Sequence, residues 1–257
     1  MQIATPTVAR RPRDYVRVAG PDAADFLQRM VSNDVEALPE GGSCDAMLLT
    51  PKGRVVATMR VWRRALDDFL LLTEPGLGDV VCRTLVRMRI ASKCEVDQEP
   101  HVSTLVFGGD VDGIANEDYG VPAVEVLDAD VEGAPADAEE LERLRLLART
   151  PRFGVDVDES VFPAEAGLDE RAVSWSKGCY PGQEFVARLR YRGHPNKRLR
   201  LLEVDGRPRR DEEICVDGRE VGRVTSAVDG LALGYVRGEV ADDATLAVGG
   251  RPARLAG

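Results

Sequence analysis

The residues Lys177-Gly178-Cys179-Tyr180-Pro181-Gly182-Gln183-Glu184 bring an amine, a thiol, a phenol, an amide and a carboxylate into one short stretch. Pro181 suits the first position of a helix, because its missing N–H would be unpaired there anyway. A helix opening there puts Glu184 in the first turn, where the helix dipole favours an anion. It also sets Glu184 and Arg188 four residues apart, on one face. Cys179 then lies just outside the helix N-terminus and near Lys177. Unpaired backbone N–H groups and a nearby ammonium both favour thiolate over thiol, which makes Cys179 the first candidate for chemistry. Lys177 is expected to tune that thiol or to contact an anion. Gln183 and Glu184 are either ligand contacts or caps, and Arg188 orients Glu184. Gly178 and Gly182 permit a close approach of the backbone. By its local features alone the stretch reads equally well as a glycine-rich turn around a small buried thiol.

Lys-Gly-Cys-Tyr-x-Gly-Gln-Glu resembles the signature of the YgfZ family, the folate-binding relatives of the glycine-cleavage T-protein. Two further blocks agree in order and spacing. Gly20-Pro21-Asp22-Ala23-Ala24-Asp25-Phe26-Leu27-Gln28-Arg29-Met30-Val31-Ser32-Asn33-Asp34-Val35 is similar to the opening of that superfamily. Thr50-Pro51-Lys52-Gly53-Arg54-Val55 is similar to its next hairpin. The resemblance implies an α+β folate-binding body over residues 1–198 and a small antiparallel β-barrel over residues 199–257. It implies tetrahydrofolate, or another reduced folate, as the bound cofactor. Cys179 would be the functional thiol, with Tyr180, Gln183, Glu184 and Arg188 around the ligand. Glu165, in Pro163-Ala164-Glu165, fits a family-like Pro-x-Glu block. Glu125 is the candidate for the acid that binds the pterin, since a carboxylate accepts two N–H groups from such an edge. Asn33 and Asp34 end the first helix and either face the pocket or cap the helix.

One departure separates the branches of the superfamily. T-proteins carry Gly-x-hydrophobic-hydrophobic-Asp-Asp on the hairpin strand, and one of those acids serves catalysis. Here Ala57 and Thr58 follow Gly53-Arg54-Val55-Val56. Neither side chain shuttles a proton at neutral pH, which argues against aminomethyl transfer. The expected role is a folate-dependent accessory factor for assembly, maintenance or repair of iron–sulfur enzymes, including tRNA-modifying ones. The rival is a folate-dependent one-carbon transferase or demethylase. A third reading is an interaction scaffold without folate.

The remaining composition narrows the field. A chain of 257 residues with 44% hydrophobic content suffices for one large domain or two small ones. A net charge of −10 gives no global attraction to nucleic acid, so no direct nucleic-acid partner is expected. Locally, Arg188, Arg190, Arg192, His194, Lys197, Arg198 and Arg200 form a basic run, either a solvated surface or a rim for an anionic ligand. No apolar run reaches membrane-spanning length, and Arg10-Arg11 precede no apolar segment. Five widely spaced cysteines fit a reducing cytoplasm. Two histidines and no Cys-x-x-Cys leave no metal site in view.

Periodicity predicts a helix over 23–32 capped by Asp22, and strands over 44–50, 54–62 and 69–72. A helix follows with Leu77, Val81, Leu85 and Met88 on its face. Strands are expected near 93–97, 102–107 and 123–127, and a helix over 138–149 that buries Leu141, Leu144 and Leu147 or Ala148. From about residue 199, Asp217-Gly218, Asp229-Gly230 and Gly249-Gly250 punctuate short strands, as in a small barrel.

Overall fold

The computed structural model describes residues 5–256. In chain order the body runs β1 (Thr7–Arg10), β2 (Asp14–Ala19), α1 (Ala23–Met30), β3 (Ser43–Leu49), β4 (Val55–Ala65), β5 (Asp68–Thr73), α2 (Gly78–Met88) and β6 (Glu95–Gln98). Next come β7 (Ser103–Phe107), β8 (Ile114–Asn116), β9 (Ala123–Leu127), β10 (Ala134–Pro135) and α3 (Ala138–Leu147). A 3-10 turn at Pro163–Glu165, α4 (Leu168–Arg171) and α5 (Gln183–Arg192) complete it. The strands form two five-stranded sheets, ordered β3-β4-β5-β2-β6 and β10-β1-β7-β9-β8. β11 (Lys197–Val204), β12 (Glu213–Val216), β13 (Arg219–Val228), β14 (Leu231–Arg237), β15 (Leu246–Val248) and β16 (Arg251–Leu255) close a six-stranded antiparallel barrel. The α+β class and the terminal barrel are as the sequence suggests.

The run Phe69-Leu70-Leu71-Leu72 is apolar throughout because β5 is covered on both faces. Phe69 and Leu71 pack with Phe26 and Leu27 of α1 and Val81 and Leu85 of α2. Leu70 and Leu72 point the other way, packing with Tyr15 of β2 and with Ile114 of the second sheet. All four are fully buried, each contributing roughly 1.5–3 kcal/mol. β2 shows the same two-sided burial, but its alternating Asp14 and Arg17 mask it in the sequence. The strands β1, β2, β8 and β10 were not expected.

α3 departs most from its predicted face. Leu141 and Leu144 meet Leu105, Tyr119 and Ala123 of the second sheet. Leu146 points elsewhere, into a cluster with Leu201, Val228, Leu231 and Leu233 of the barrel. Leu147 is half exposed. A helix wedged between two cores has no single apolar stripe, so a one-stripe reading chooses the wrong residues. Met88, expected on the buried face of α2, is also exposed, since α2 ends there. Asp22 does stand at the N-cap of α1, but its carboxylate accepts from the Lys93 N–H at 2.7 Å instead of capping the helix.

The barrel turns follow the sequence signals. Asp217 and Gly218 have φ of 49° and 76°, and Gly249 and Gly250 have 54° and 80°, as two-residue hairpins with matched twist require. No helix among the described residues is long and apolar enough to cross a membrane.

Candidate functional site

The signature is an anchored surface loop, and its anchors differ from those expected. α5 opens at Gln183, so Pro181 lies outside the helix, and Gly182 caps it at φ 84°. Gly182 rests directly on the β3–β4 hairpin turn. A Cβ there would stand 2.5 Å from the Thr50 carbonyl oxygen and 2.9 Å from the Gly53 Cα. Gly53, at φ 73°, has no room either: its Cβ would meet that of Phe185 at 2.7 Å. Two backbones therefore touch with no side chain between them, and the two sequence blocks meet at that point. Gly182→Ala is expected to lose roughly 2–5 kcal/mol in urea unfolding, from left-handed strain plus overlap. Gly178→Ala, with nothing within 4 Å, is the near-neutral control. Equal stability of both variants would contradict this contact.

Lys177 is the second anchor. Its Nζ donates to the carbonyls of Gln28, Val31 and Asn33 at 2.6, 2.7 and 2.8 Å, tying the loop to the end of α1. All three donors are engaged, so Lys177 has none for an external anion. Burial pushes this amine down to about 8. Tyr180 is the third anchor, packed among Val157, Val161 and Val186. Its hydroxyl is buried without a hydrogen-bond partner, and burial pushes it up to about 12. Between these anchors Cys179 is exposed. Glu184 and Arg188 form the expected pair at 2.8 Å, both at the surface, and Gln183 is half-buried.

The other predicted residues are dispersed. Asn33 and Asp34 lie beyond the end of α1, whose C-cap is Val31. The Asn33 amide donates to the Asp45 carbonyl at 2.7 Å, and Asp34 accepts from Gln28 at 3.0 Å and from the Ala37 N–H at 3.2 Å. Both shape the crossing to β3 and do not face the cleft. Glu165 accepts from the Phe162 N–H at 2.9 Å, which caps its own 3-10 turn. Glu125 is buried and saturated: it takes Arg13 in a fork, Asn116 at 2.6 Å and Ser103 at 3.0 Å. A carboxylate so occupied is not free to grip a pterin. In the basic run, Arg190 pairs with Asp169 at 3.3 Å and Arg200 with Asp242 at 2.6 Å, along a groove between body and barrel.

A charged cleft lies where the two sheets and α4 converge, and Cys179 is not among its lining residues. Arg11 and Arg13 come from the β1–β2 link, Asp45 from β3, Thr58 and Arg60 from β4, Asp118 and Tyr119 from the β8–β9 turn, and Arg171 from α4. Asp45 bridges Arg60 and Arg171, each at 2.8 Å. Asp118 has four guanidinium groups around it, but none close: Arg171 at 3.3 Å, Arg13 at 3.4 Å, Arg60 at 3.6 Å and Arg11 at 3.8 Å. Burial alone would raise Asp118; the guanidinium groups, Arg13 and Arg60 foremost, overcome it and hold the carboxyl down to about 2. Asp118 is thus ionised and lines the cleft, and the hydrogen bonds it accepts are long, from Arg171 and Asn116 at 3.3 Å and from Arg13 at 3.4 Å, against 2.5–3.1 Å for those at Glu125.

The depressed value has a consequence for stability. A carboxyl lowered from 3.8 to about 2 contributes stability above its unfolded value and loses it as pH falls through the folded one. The gap in unfolding free energy between wild type and Asp118→Asn is expected to shrink by about 2 kcal/mol between about pH 4 and about pH 2. A gap that stays constant over that window would refute the ionised assignment.

Sequence reading missed Arg13, Asp45, Arg60, Asp118 and Arg171. The available signal was a lone charge inside an apolar strand, such as Arg60 between Met59 and Val61. The two positions read as lost acids differ in setting. Ala57 is fully buried in the α1–α2 core, and only Thr58 opens on the cleft.

Comparison with known proteins agrees with this architecture. Residues 14–106 match the family GCVT N-terminal domain, and residues 196–256 match CAF17, C-terminal beta-barrel domain. A chloroplastic protein of Arabidopsis thaliana is 25% identical over 281 residues, covering 88% of this chain and 64% of its own length. The tRNA-modifying protein YgfZ of Pectobacterium atrosepticum is 28% identical over 219 residues, covering 70% of this chain and 65% of its own. The chain thus spans just under two thirds of either relative. The crystal structure of glycine cleavage system aminomethyltransferase T from Bartonella henselae superposes with a TM-score of 0.83, covering 97% of this chain and 84% of that one, at 19% identity. That likeness is one of fold.

Proposed function

We propose that this chain, a member of the YgfZ-type branch of the GcvT-like superfamily, is a folate-binding accessory factor for iron–sulfur enzymes. The observation that carries the reading is the cleft itself. It keeps a carboxylate ready to accept N–H groups, while Thr58 stands where an aminomethyl-transferring relative would place an acid. The residues fit a reduced folate. Asp118 takes the amino and ring N–H edge of the pterin, and the arginines around it keep that carboxylate ionised. A reduced folate would supply one-carbon chemistry at its ring nitrogens. This chain's residues orient the molecule and exclude water, with no positioned acid at residue 58 to drive transfer. Cys179, presented on a separate surface, faces client proteins of the iron–sulfur class, tRNA-modifying enzymes among them. Its exposure without a disulfide suits a reducing compartment such as the cytoplasm.

Calorimetric titration with tetrahydrofolate tests the reading. Wild type is expected to release heat and to melt at a higher temperature with ligand present, since a ligand of the native state stabilises by mass action. Asp118→Asn is expected to bind at least about tenfold more weakly, the equivalent of one charge-assisted contact. Absence of heat and of any shift with wild type would remove folate from the account and leave the interaction scaffold.

A further inference from the structure

We propose, on the reading of Cys179 as the residue that faces client proteins, that α5 is the face on which the client docks, and that the client's matching surface carries carboxylates around a pocket for the Tyr191 ring. Glu184, Arg188 and Tyr191 follow one another at intervals of four and three residues, so they share one face of α5, and Arg192 adjoins it. All four are exposed, and none lines the central cleft. Tyr191 is 69% exposed and is the one aromatic ring among the exposed large hydrophobic side chains described. It is held in place: the ring stands edge-on to Trp175 at 5.7 Å, and Arg190 lies over that indole at 4.9 Å while pairing with Asp169. Arg188 is steadied likewise, by Glu184 at 2.8 Å and by the Phe185 ring at 5.3 Å. Tyrosine, tryptophan and arginine dominate the binding energy of protein interfaces, and side chains fixed beforehand lose less entropy on docking.

Charge selects the partner. The chain carries a net −10, yet α5 has three arginines against one glutamate. Arg188 and Arg190 already hold carboxylates, whereas Arg192 enters no ion pair among the described residues. The acidic remainder of the surface turns an acidic partner away and leaves this helix as its landing place. Cys179 precedes the Gly182 cap by three residues, so its Cα lies within about 11 Å of the helix start. From that cap α5 rises roughly 14 Å to Tyr191. An interface of ordinary size, about 800 Å² on each partner and roughly 30 Å across, is wide enough to cover both. A nucleic acid fits less well, because Glu165, Asp169, Glu170 and Asp242 line the groove beside Tyr191, where a phosphate backbone would meet carboxylates.

The test places the photo-crosslinker p-benzoyl-phenylalanine at position 191 of the full chain in cells, with exposed Val102 as the control position, and identifies the adducts by mass spectrometry. Irradiation is expected to join position 191, and not position 102, to an acidic surface peptide of an iron–sulfur protein. Arg192→Glu in the same chain should lower that yield about tenfold. An adduct with RNA, an adduct with a second copy of this chain, or no adduct at all overturns the docking face. In cells lacking the native protein, Tyr191→Ala and Arg192→Glu should each restore iron–sulfur enzyme activity at least about tenfold less well than wild type. Both should bind tetrahydrofolate as wild type does. Full rescue by both variants, with tetrahydrofolate bound and Cys179→Ser inactive, would sink the docking face and keep the functional reading. An Arg192-dependent adduct with an iron–sulfur protein, from a chain that binds no tetrahydrofolate, would keep the face and sink the folate reading. If Tyr191→Ala does not fold, Arg192→Glu, at an exposed side chain, carries the comparison.

Discussion

Cys179→Ser is expected to fold as the wild type does and to fail completely in the cell. The side chain is exposed, and its loop is held by Lys177, Tyr180 and Gly182, none of which needs the sulfur. Unfolding free energy should change by no more than about 0.5 kcal/mol, as for other surface substitutions. Complementation should show the difference: in cells lacking the native protein, the variant should restore no more iron–sulfur enzyme activity than an empty vector. Iodoacetamide should modify Cys179 in the folded wild type. Full rescue by the serine variant would leave the loop as a folding element only. A thiol that alkylates solely after denaturation would contradict the exposed placement.

The largest stability effect is expected at Arg145, on the helix wedged between the two cores. Its guanidinium reaches Asp156 at 2.7 Å, the Thr150 carbonyl at 2.6 Å and Ser226 of the barrel at 2.8 Å. The Asp156 carboxylate also accepts Thr225 at 2.5 Å and Ser226 at 2.7 Å, and its carbonyl accepts the Tyr235 hydroxyl at 2.9 Å. One buried ion pair of the body thus holds three polar side chains of the barrel, Thr225, Ser226 and Tyr235. Arg145→Ala would strand Asp156, whose side chain has no solvent exposure, and should lose roughly 3–5 kcal/mol. The double variant Arg145→Met/Asp156→Leu should recover part of that loss, because the stranded charge is gone while the Thr225 and Ser226 hydroxyls and the Arg152 N–H lose their acceptor. A double variant as unstable as Arg145→Ala would mean that packing, not the stranded charge, dominates.

What the sequence disclosed and withheld follows from distance along the chain. The signature and the hairpin were legible because each is a local run whose residue types are dictated by one turn. Their contact was not, since Gly53 and Gly182 signal only that each needs room. Lys177 read as a partner of Cys179 because they are neighbours in sequence. Its flexible stem instead reaches carbonyls more than a hundred residues away, a choice that local spacing does not encode. The cleft was least legible. Asp45, Arg60, Asp118 and Arg171 come from four separate elements, and all but Arg60, which interrupts an apolar strand, look alone like surface charges. Glu125 was noticed as an acid, but Arg13, a surface residue by any local rule, turned out to occupy it.

The backbone contact between the hairpin and the signature also restricts how the gene can change. Every single-base, non-synonymous change in a glycine codon that leaves the chain intact introduces a side chain with a Cβ. At Gly182 that atom meets only backbone, the Thr50 carbonyl and the Gly53 Cα, and residue 53, already glycine, offers no smaller residue to make way. A change at Gly182 therefore begins from a stability deficit that no substitution at residue 53 relieves, whereas at Gly53 the facing atom is the Cβ of Phe185, which can be trimmed. The loop that presents Cys179 is thus tied to the hairpin through Gly182 first.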